Sequence, residues 1–148
     1  MTSFRPLATC IAAAFLAVPA LAQDSVALSS NVHVVRVVDG KEQFDPPASV
    51  VPGDRLVFTT RYQNTGGSKV DDFTVTNPLP GAVMLAEEGA FAVSIDGGAT
   101  FGPLAEQQVV ENDAARPATL ADVTHIRWTL PSIAAGAGGE LKYLATVR

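Results

Sequence analysis

The stretch Ser49–Pro80 (SVVPGDRLVFTTRYQNTGGSKVDDFTVTNPLP) constrains this chain more than any other. Leu56, Phe58, Thr60 and Tyr62 alternate with Val57, Thr59 and Arg61, so one face of a strand over Leu56–Asn64 is largely apolar. The first set is assigned to the core. Pro52-Gly53-Asp54 opens the strand, because proline presets φ for a turn and glycine tolerates the positive φ that follows. Thr65-Gly66-Gly67 turns the chain, and a second strand over Val70–Thr76 follows, with Phe73 and Val75 inward. Pro78 and Pro80 cannot donate to a ladder and end it.

The rest of the chain repeats this pattern. Apolar residues alternate between clusters of Gly, Pro, Asn and Asp, which predicts short strands in an all-β antiparallel sandwich. Asn31–Val38 reads as a first strand, with a bulge or a change of sheet expected because Val32, Val35 and Val37 cannot share a face. Met84–Ala86 and Phe91–Ile95 are shorter strands. Thr124–Leu130 places Ile126, Trp128 and Leu130 inward. Gly136–Gly139 is a turn, and Glu140–Val147 closes the fold with Leu141, Tyr143, Ala145 and Val147 inward. Glu106–Ala121 is polar and contains Arg116-Pro117. It reads as a long loop with at most a short strand at Gln108–Val110, and as the first place to look for a binding surface.

Met1–Ala22 has the organisation of a secretory signal peptide, expected to be helical. Arg5 provides positive charge, Ile11–Val18 is an uninterrupted apolar run, and Ala20-Leu21-Ala22 is a cleavage site before Gln23. The apolar stretch is too short for a membrane anchor. Cys10 precedes the apolar core, whereas a lipoprotein cysteine follows it. Residues 23–148 then form a single domain, long enough to bury a core without staples. Cys10 is the only cysteine, so this domain has neither a disulfide nor a thiolate metal site. The net charge of the whole chain is −5, and loss of Arg5 leaves the exported domain slightly more negative. That balance argues against nucleic acid and anionic lipid as partners.

Ser94-Ile95-Asp96-Gly97-Gly98-Ala99-Thr100-Phe101 fits the Asp-box pattern S-x-D-x-G-x-T-aromatic. Ser94, Asp96, Gly98, Thr100 and Phe101 are read as a structural turn in which Asp96 accepts turn amides. The competing reading is recognition of envelope glycans. Asp71-Asp72 and Asp96 lack the spaced oxygen ligands of a calcium loop. His33 and His125 have no partner motif for zinc. Lys41, Lys69 and Lys142 with the asparagines allow an isopeptide bond that no motif supports. There is no G-x-S-x-G elbow, no phosphate loop and no carboxylate pair that sequence places across a cleft. No catalytic, cofactor-binding or metal-ligating set is assigned.

Pro52-Gly53-Asp54, the alternation ending at Asn64-Thr65-Gly66, Phe73–Pro80 and Trp128-Thr129-Leu130 together resemble the DUF11 family, a conserved repeat domain of bacterial and archaeal surface proteins. The resemblance runs from about Val50 to Val147. Asn77 stands where Asp is commoner, and Ala135 replaces a usual proline within Ile133–Gly139. The resemblance implies an immunoglobulin-like sandwich, no catalytic residues and a place in the cell envelope. One copy of the motif set favours a free or assembling subunit over a stalk-like spacer. The expected role is structural or protein-interacting, in the periplasm or outside a bacterial cell, with an unidentified envelope protein as partner, no membrane span after cleavage, and self-assembly through Gln23–Val38 as one form of it. Intact-mass measurement of the exported protein is expected to show a chain beginning at Gln23; a retained Met1–Ala22 segment would contradict export by cleavage.

Overall fold

The structure, a computed structural model, describes residues 25–148. The signal-peptide assignment and Cys10 lie outside the described residues. The described region is all-β, with antiparallel pairing throughout. Its strands are β1 (Val26–Val38), β2 (Lys41–Asp45), β3 (Arg55–Asn64), β4 (Val70–Pro78), β5 (Val83–Leu85), β6 (Ala92–Ser94), β7 (Gln108–Glu111), β8 (Ala114–Pro117), β9 (His125–Ile133) and β10 (Gly138–Val147). A five-stranded sheet runs β2-β1-β3-β10-β5, a three-stranded sheet runs β4-β9-β6, and β7-β8 is a separate hairpin.

The two larger sheets share one core. Val34, Leu56, Leu85, Tyr143 and Ala145 come from the first sheet; Val75, Val93, Ile126 and Trp128 come from the second. The alternation in β3 and β9 sets most of the side chains that face this core, but Tyr62 and Leu130 are only half-buried and lie outside the core cluster, and Thr59 on the other face is buried. Leu56, Thr60, Ile126 and Trp128 are buried, and Phe58, Phe73 and Leu141 are partly so. Trp128 meets Phe91 edge-on with ring centroids 5.5 Å apart and Tyr143 at 6.2 Å. Tyr143 stacks on Phe58, its register partner, at 4.7 Å. Burial pushes the Tyr143 hydroxyl up to about 12, because the phenolate would lose its hydration.

Three sequence expectations need correction. β1 has no bulge: its register against β3 runs unbroken from Val26↔Asn64 to Val35↔Arg55, and against β2 from Val34↔Asp45 to Val38↔Lys41. The valines simply divide between faces. Val34 is buried, while Val37 is 71 % exposed on the opposite side. Within Glu106–Ala121 the short strand expected at Gln108–Val110 is present, but it pairs with Ala114–Pro117 as a hairpin, so the stretch is not a long loop. β7 and β8 are joined by Asn112-Asp113, both with positive φ (51° and 61°), as the tightest hairpin turns require. Third, β9 does not stop at Leu130 but passes through Pro131 to Ile133. Opposite Pro131, which has no N–H, Asp72 takes a φ of 52°, and pairing resumes at Asp71↔Ser132 without loss of register.

Gln23–Val38 has two sequence-level options, pairing with its own domain or donation to a neighbour. Val26–Val35 pair with β3 of the same chain, and Val34–Val38 with β2.

Trp128→Ala is expected to destabilise the protein by about 3–5 kcal/mol, the usual cost of removing a large core aromatic. Denaturant unfolding monitored by far-UV circular dichroism measures it; a loss below about 1 kcal/mol would contradict the core placement.

Candidate functional site

The Asp-box lies between β6 and the hairpin β7-β8. Ser94 ends β6, and Val93 and Gly102 close the loop by exchanging backbone hydrogen bonds of 2.9 and 3.0 Å. Gly97 and Gly98 hold φ of 78° and 91°, a region that side chains disfavour. Within this loop Asp96 is the hub. Its Oδ1 accepts from the Ser94 hydroxyl (2.6 Å), the Ala99 N–H (3.0 Å) and the Thr100 N–H (3.0 Å). Its Oδ2 accepts from the Thr100 hydroxyl (2.6 Å) and the Thr100 N–H (3.1 Å). The fully buried Ser94 hydroxyl accepts in turn from the Gly98 N–H at 2.9 Å. The Ser94 and Thr100 hydroxyls, then the loop amides, hold the Asp96 carboxyl well below the usual carboxylate range.

Residues remote in sequence anchor the loop. Thr124 donates its N–H to the Ser94 carbonyl (2.8 Å), and its hydroxyl accepts from the Gly97 N–H (3.1 Å). Gln107 donates its side-chain amide to the Val93 and Gly102 carbonyls at 2.7 and 3.1 Å. The Arg127 guanidinium stands 3.6 Å above the Phe101 ring and donates to the Thr76 hydroxyl at 3.0 Å. The His125 ring packs near Gly98, with its Nδ1 3.1 Å from the Thr124 hydroxyl. Ser94, Asp96, Gly98, Thr100 and Phe101 are therefore brought together in one loop. Thr124, Gln107 and Arg127 escape a sequence reading because no local spacing marks them.

The β7-β8 hairpin carries a second polar cluster. Arg116 grips two carboxylates at once: Glu111 through Nε and Nη2 (both 3.2 Å), and Asp122 through Nη1 (2.8 Å) and Nη2 (2.9 Å). Asp122 also accepts from the Thr119 N–H and hydroxyl, each at 2.8 Å, and so caps the turn over Leu120–Asp122. The guanidinium holds the Asp122 carboxyl below its ordinary range, and the two acids hold Arg116 firmly charged. These groups stabilise a connection; their donors and acceptors are engaged with each other.

Other sequence candidates are dispersed. Asp71 binds Lys69 at 2.5 Å, and Asp72 is exposed beside it. His33 lies on β1 beside Val57, far in the fold from His125 on β9. Among the described residues no three His, Cys, Asp or Glu side chains converge as a metal site would require. None of the described helices is long and apolar enough to cross a membrane.

The solvent face of the five-stranded sheet is different in character. Val35 pairs with Phe44, and His33 pairs with Val57, on the side away from the core. Phe44 is 56 % exposed, and it borders a cavity of about 260 Å³ lined also by Val35, Val57, Glu42, Lys142 and Leu144. No protein-family model, curated protein or solved structure matches the chain.

Asp96 and Asp122 both have folded-state values below the unfolded ones. Their contribution is thus complete above the ordinary carboxylate range and is lost as pH falls through it. Tm is expected to fall steeply below about pH 4, and less steeply in Asp122→Asn. Asp96→Ala is expected to lower Tm at neutral pH by about 3–5 °C, as loss of a capping side chain does in a domain of this size. An unchanged Tm would contradict the hub role of Asp96.

Proposed function

We propose that the chain is an exported bacterial envelope protein with a DUF11-like, immunoglobulin-like sandwich and a structural or protein-interaction role rather than a catalytic one. The motif order in Pro52–Pro80 and Trp128–Leu130 supports the family reading. The two antiparallel sheets, β2-β1-β3-β10-β5 and β4-β9-β6, packed on one core support the sandwich reading; constant-type immunoglobulin domains set four strands against three, and β2 is an additional strand here. The chain differs in placing its last strand, β10, beside β3, where that arrangement uses an earlier one. The secretory pattern of Met1–Ala22 supports export.

One contrast carries the functional reading. The conspicuous polar clusters, around Asp96 and Arg116, have their groups engaged in holding turns. Apolar side chains of Val35, Val37, Phe44 and Val57 meanwhile lie together on the solvent side of a sheet. A polar site awaiting a sugar or a reacting group has free donors and acceptors; a protein-docking face has apolar side chains with a charged rim. Here Glu42, Glu87, Glu88 and Lys142 supply that rim.

The test is capture of envelope proteins from bacterial extracts on the immobilised protein, with a glycan array in parallel. Wild-type protein is expected to retain a specific envelope protein, and Phe44→Glu to lose it at unchanged Tm. Glycan binding abolished by Asp96→Ala, with no protein retained, would overturn the proposal in favour of a glycan-binding module.

A further inference from the structure

β1 has two halves with different neighbours. Val34–Val38 pairs with β2, whereas Val26–His33 has β3 on one side and, among the described residues, nothing on the other. The cause is in the sequence: β2 ends at Asp45, and Pro46-Pro47 cannot continue a ladder along β1. Every second residue of Val26–His33 therefore points its backbone N–H and C=O away from β3.

Sheet edges are normally guarded by charge or proline. The edge strand β4 carries Asp71, Asp72 and Pro78, with Lys69 just before it, and β2 carries Lys41 and Glu42. Val26–His33 (VALSSNVH) has no Lys, Arg, Asp, Glu or Pro. Leu28 shares the core-side face of β1 with Val26 and Val32, yet it is 49 % exposed.

We infer that Val26–His33 is a pairing edge whose occupant is the same segment of a second copy, running antiparallel across a two-fold axis at Ser29. This partner deepens the interaction role proposed above and rests on that reading. In this arrangement Val26 faces Val32, Ala27 faces Asn31 and Leu28 faces Ser30. Each pair keeps its parity, so core-side residues of one copy continue the core side of the other. Two five-stranded sheets join into one continuous sheet, and the interface is the same surface on both copies. The chain is acidic overall at −5, which opposes most self-contacts, but this edge brings no like charges together.

Light scattering coupled to size exclusion, over a wide concentration range, tests the inference on the protein in its exported form. Wild-type mass is expected to rise with concentration toward twice the monomer. Ser29→Glu/Asn31→Glu is expected to stay monomeric at the same concentrations. In the folded monomer Glu at position 29 lies opposite Arg61 and is tolerated, whereas across the two-fold it meets its own copy. Hydrogen exchange needs no variant: protection of the Val26–His33 amides is expected to rise with wild-type concentration while that of β9 stays constant. A wild type that remains monomeric to its solubility limit, with concentration-independent exchange, overturns self-pairing and leaves any other strand-like partner as the edge's occupant. Association undiminished in the double variant, or protection rising elsewhere, overturns the placement at β1. Envelope capture repeated with the double variant separates the two readings, because that capture is read at Phe44 on the sheet face.

Discussion

The buried amide of Asn64 is the interaction on which the two-sheet arrangement depends. Asn64 is fully buried at the end of β3, where the chain leaves the five-stranded sheet for β4. Its Nδ2 donates to the Ser68 carbonyl at 2.8 Å, within that crossing, and reaches the Ile133 and Ala134 carbonyls at 3.1 and 3.2 Å, in the return crossing from β9 to β10. Its Oδ1 accepts from the Gly66 N–H at 3.0 Å. The Asn64 backbone closes the same corner: its N–H donates to the Ala137 carbonyl at 2.8 Å, and its own carbonyl accepts from the Gly136 N–H at 3.1 Å. One side chain thus satisfies backbone groups of two connections, of which the Ile133 carbonyl is buried and the others are part-buried. Leaving such groups unpaired costs about 1–3 kcal/mol each.

Close approach at this corner also explains the glycines that follow. A Cβ on Gly138 would lie 2.5 Å from the Tyr62 carbonyl oxygen, and one on Gly139 would lie 2.6 Å from the Tyr62 hydroxyl. At Gly138, where the clash is with backbone, only glycine lets β10 start flush against β3, whereas at Gly139 the Tyr62 ring can shift; the flush start puts Leu141, Tyr143 and Ala145 in register with Thr60, Phe58 and Leu56. The aromatic stack and the Trp128 contacts follow from that register. The corner fixes the strands, the strands fix the core, and the core leaves the Asp-box and the β7-β8 hairpin as outlying structures with their own polar supports.

Period-two alternation makes β3, β4, β9 and β10 legible, because each buries one face. It fails where burial does not decide the conformation. The Asp39-Gly40 turn between β1 and β2 has both φ positive, at 52° and 72°, and its Asp-Gly dipeptide is a readable signal. Asn112-Asp113 is a weaker signal, and its flanking strands are largely exposed with apolar and polar residues mixed on both faces, so alternation is silent there. Asn64 is visible as the end of a strand, in phase with Leu56, Phe58 and Thr60; a polar residue at a core-phase position just before a glycine turn is the clue to its buried role. The Asp-box residues are legible as a motif. Their anchors, Thr124, Gln107 and Arg127, depend on tertiary proximity that one sequence does not display.

Equilibrium unfolding of Asn64→Ala tests the corner most directly. The substitution deletes the donor to Ser68, Ile133 and Ala134 while leaving the β3 backbone able to pair. A loss of about 2–4 kcal/mol in one cooperative transition is predicted, since the buried Ile133 carbonyl and the part-buried Ser68 and Ala134 carbonyls lose a shared donor together. A loss under about 0.5 kcal/mol, the range of an ordinary surface substitution, would contradict the central role of Asn64 and show that the two sheets hold their corner without this amide.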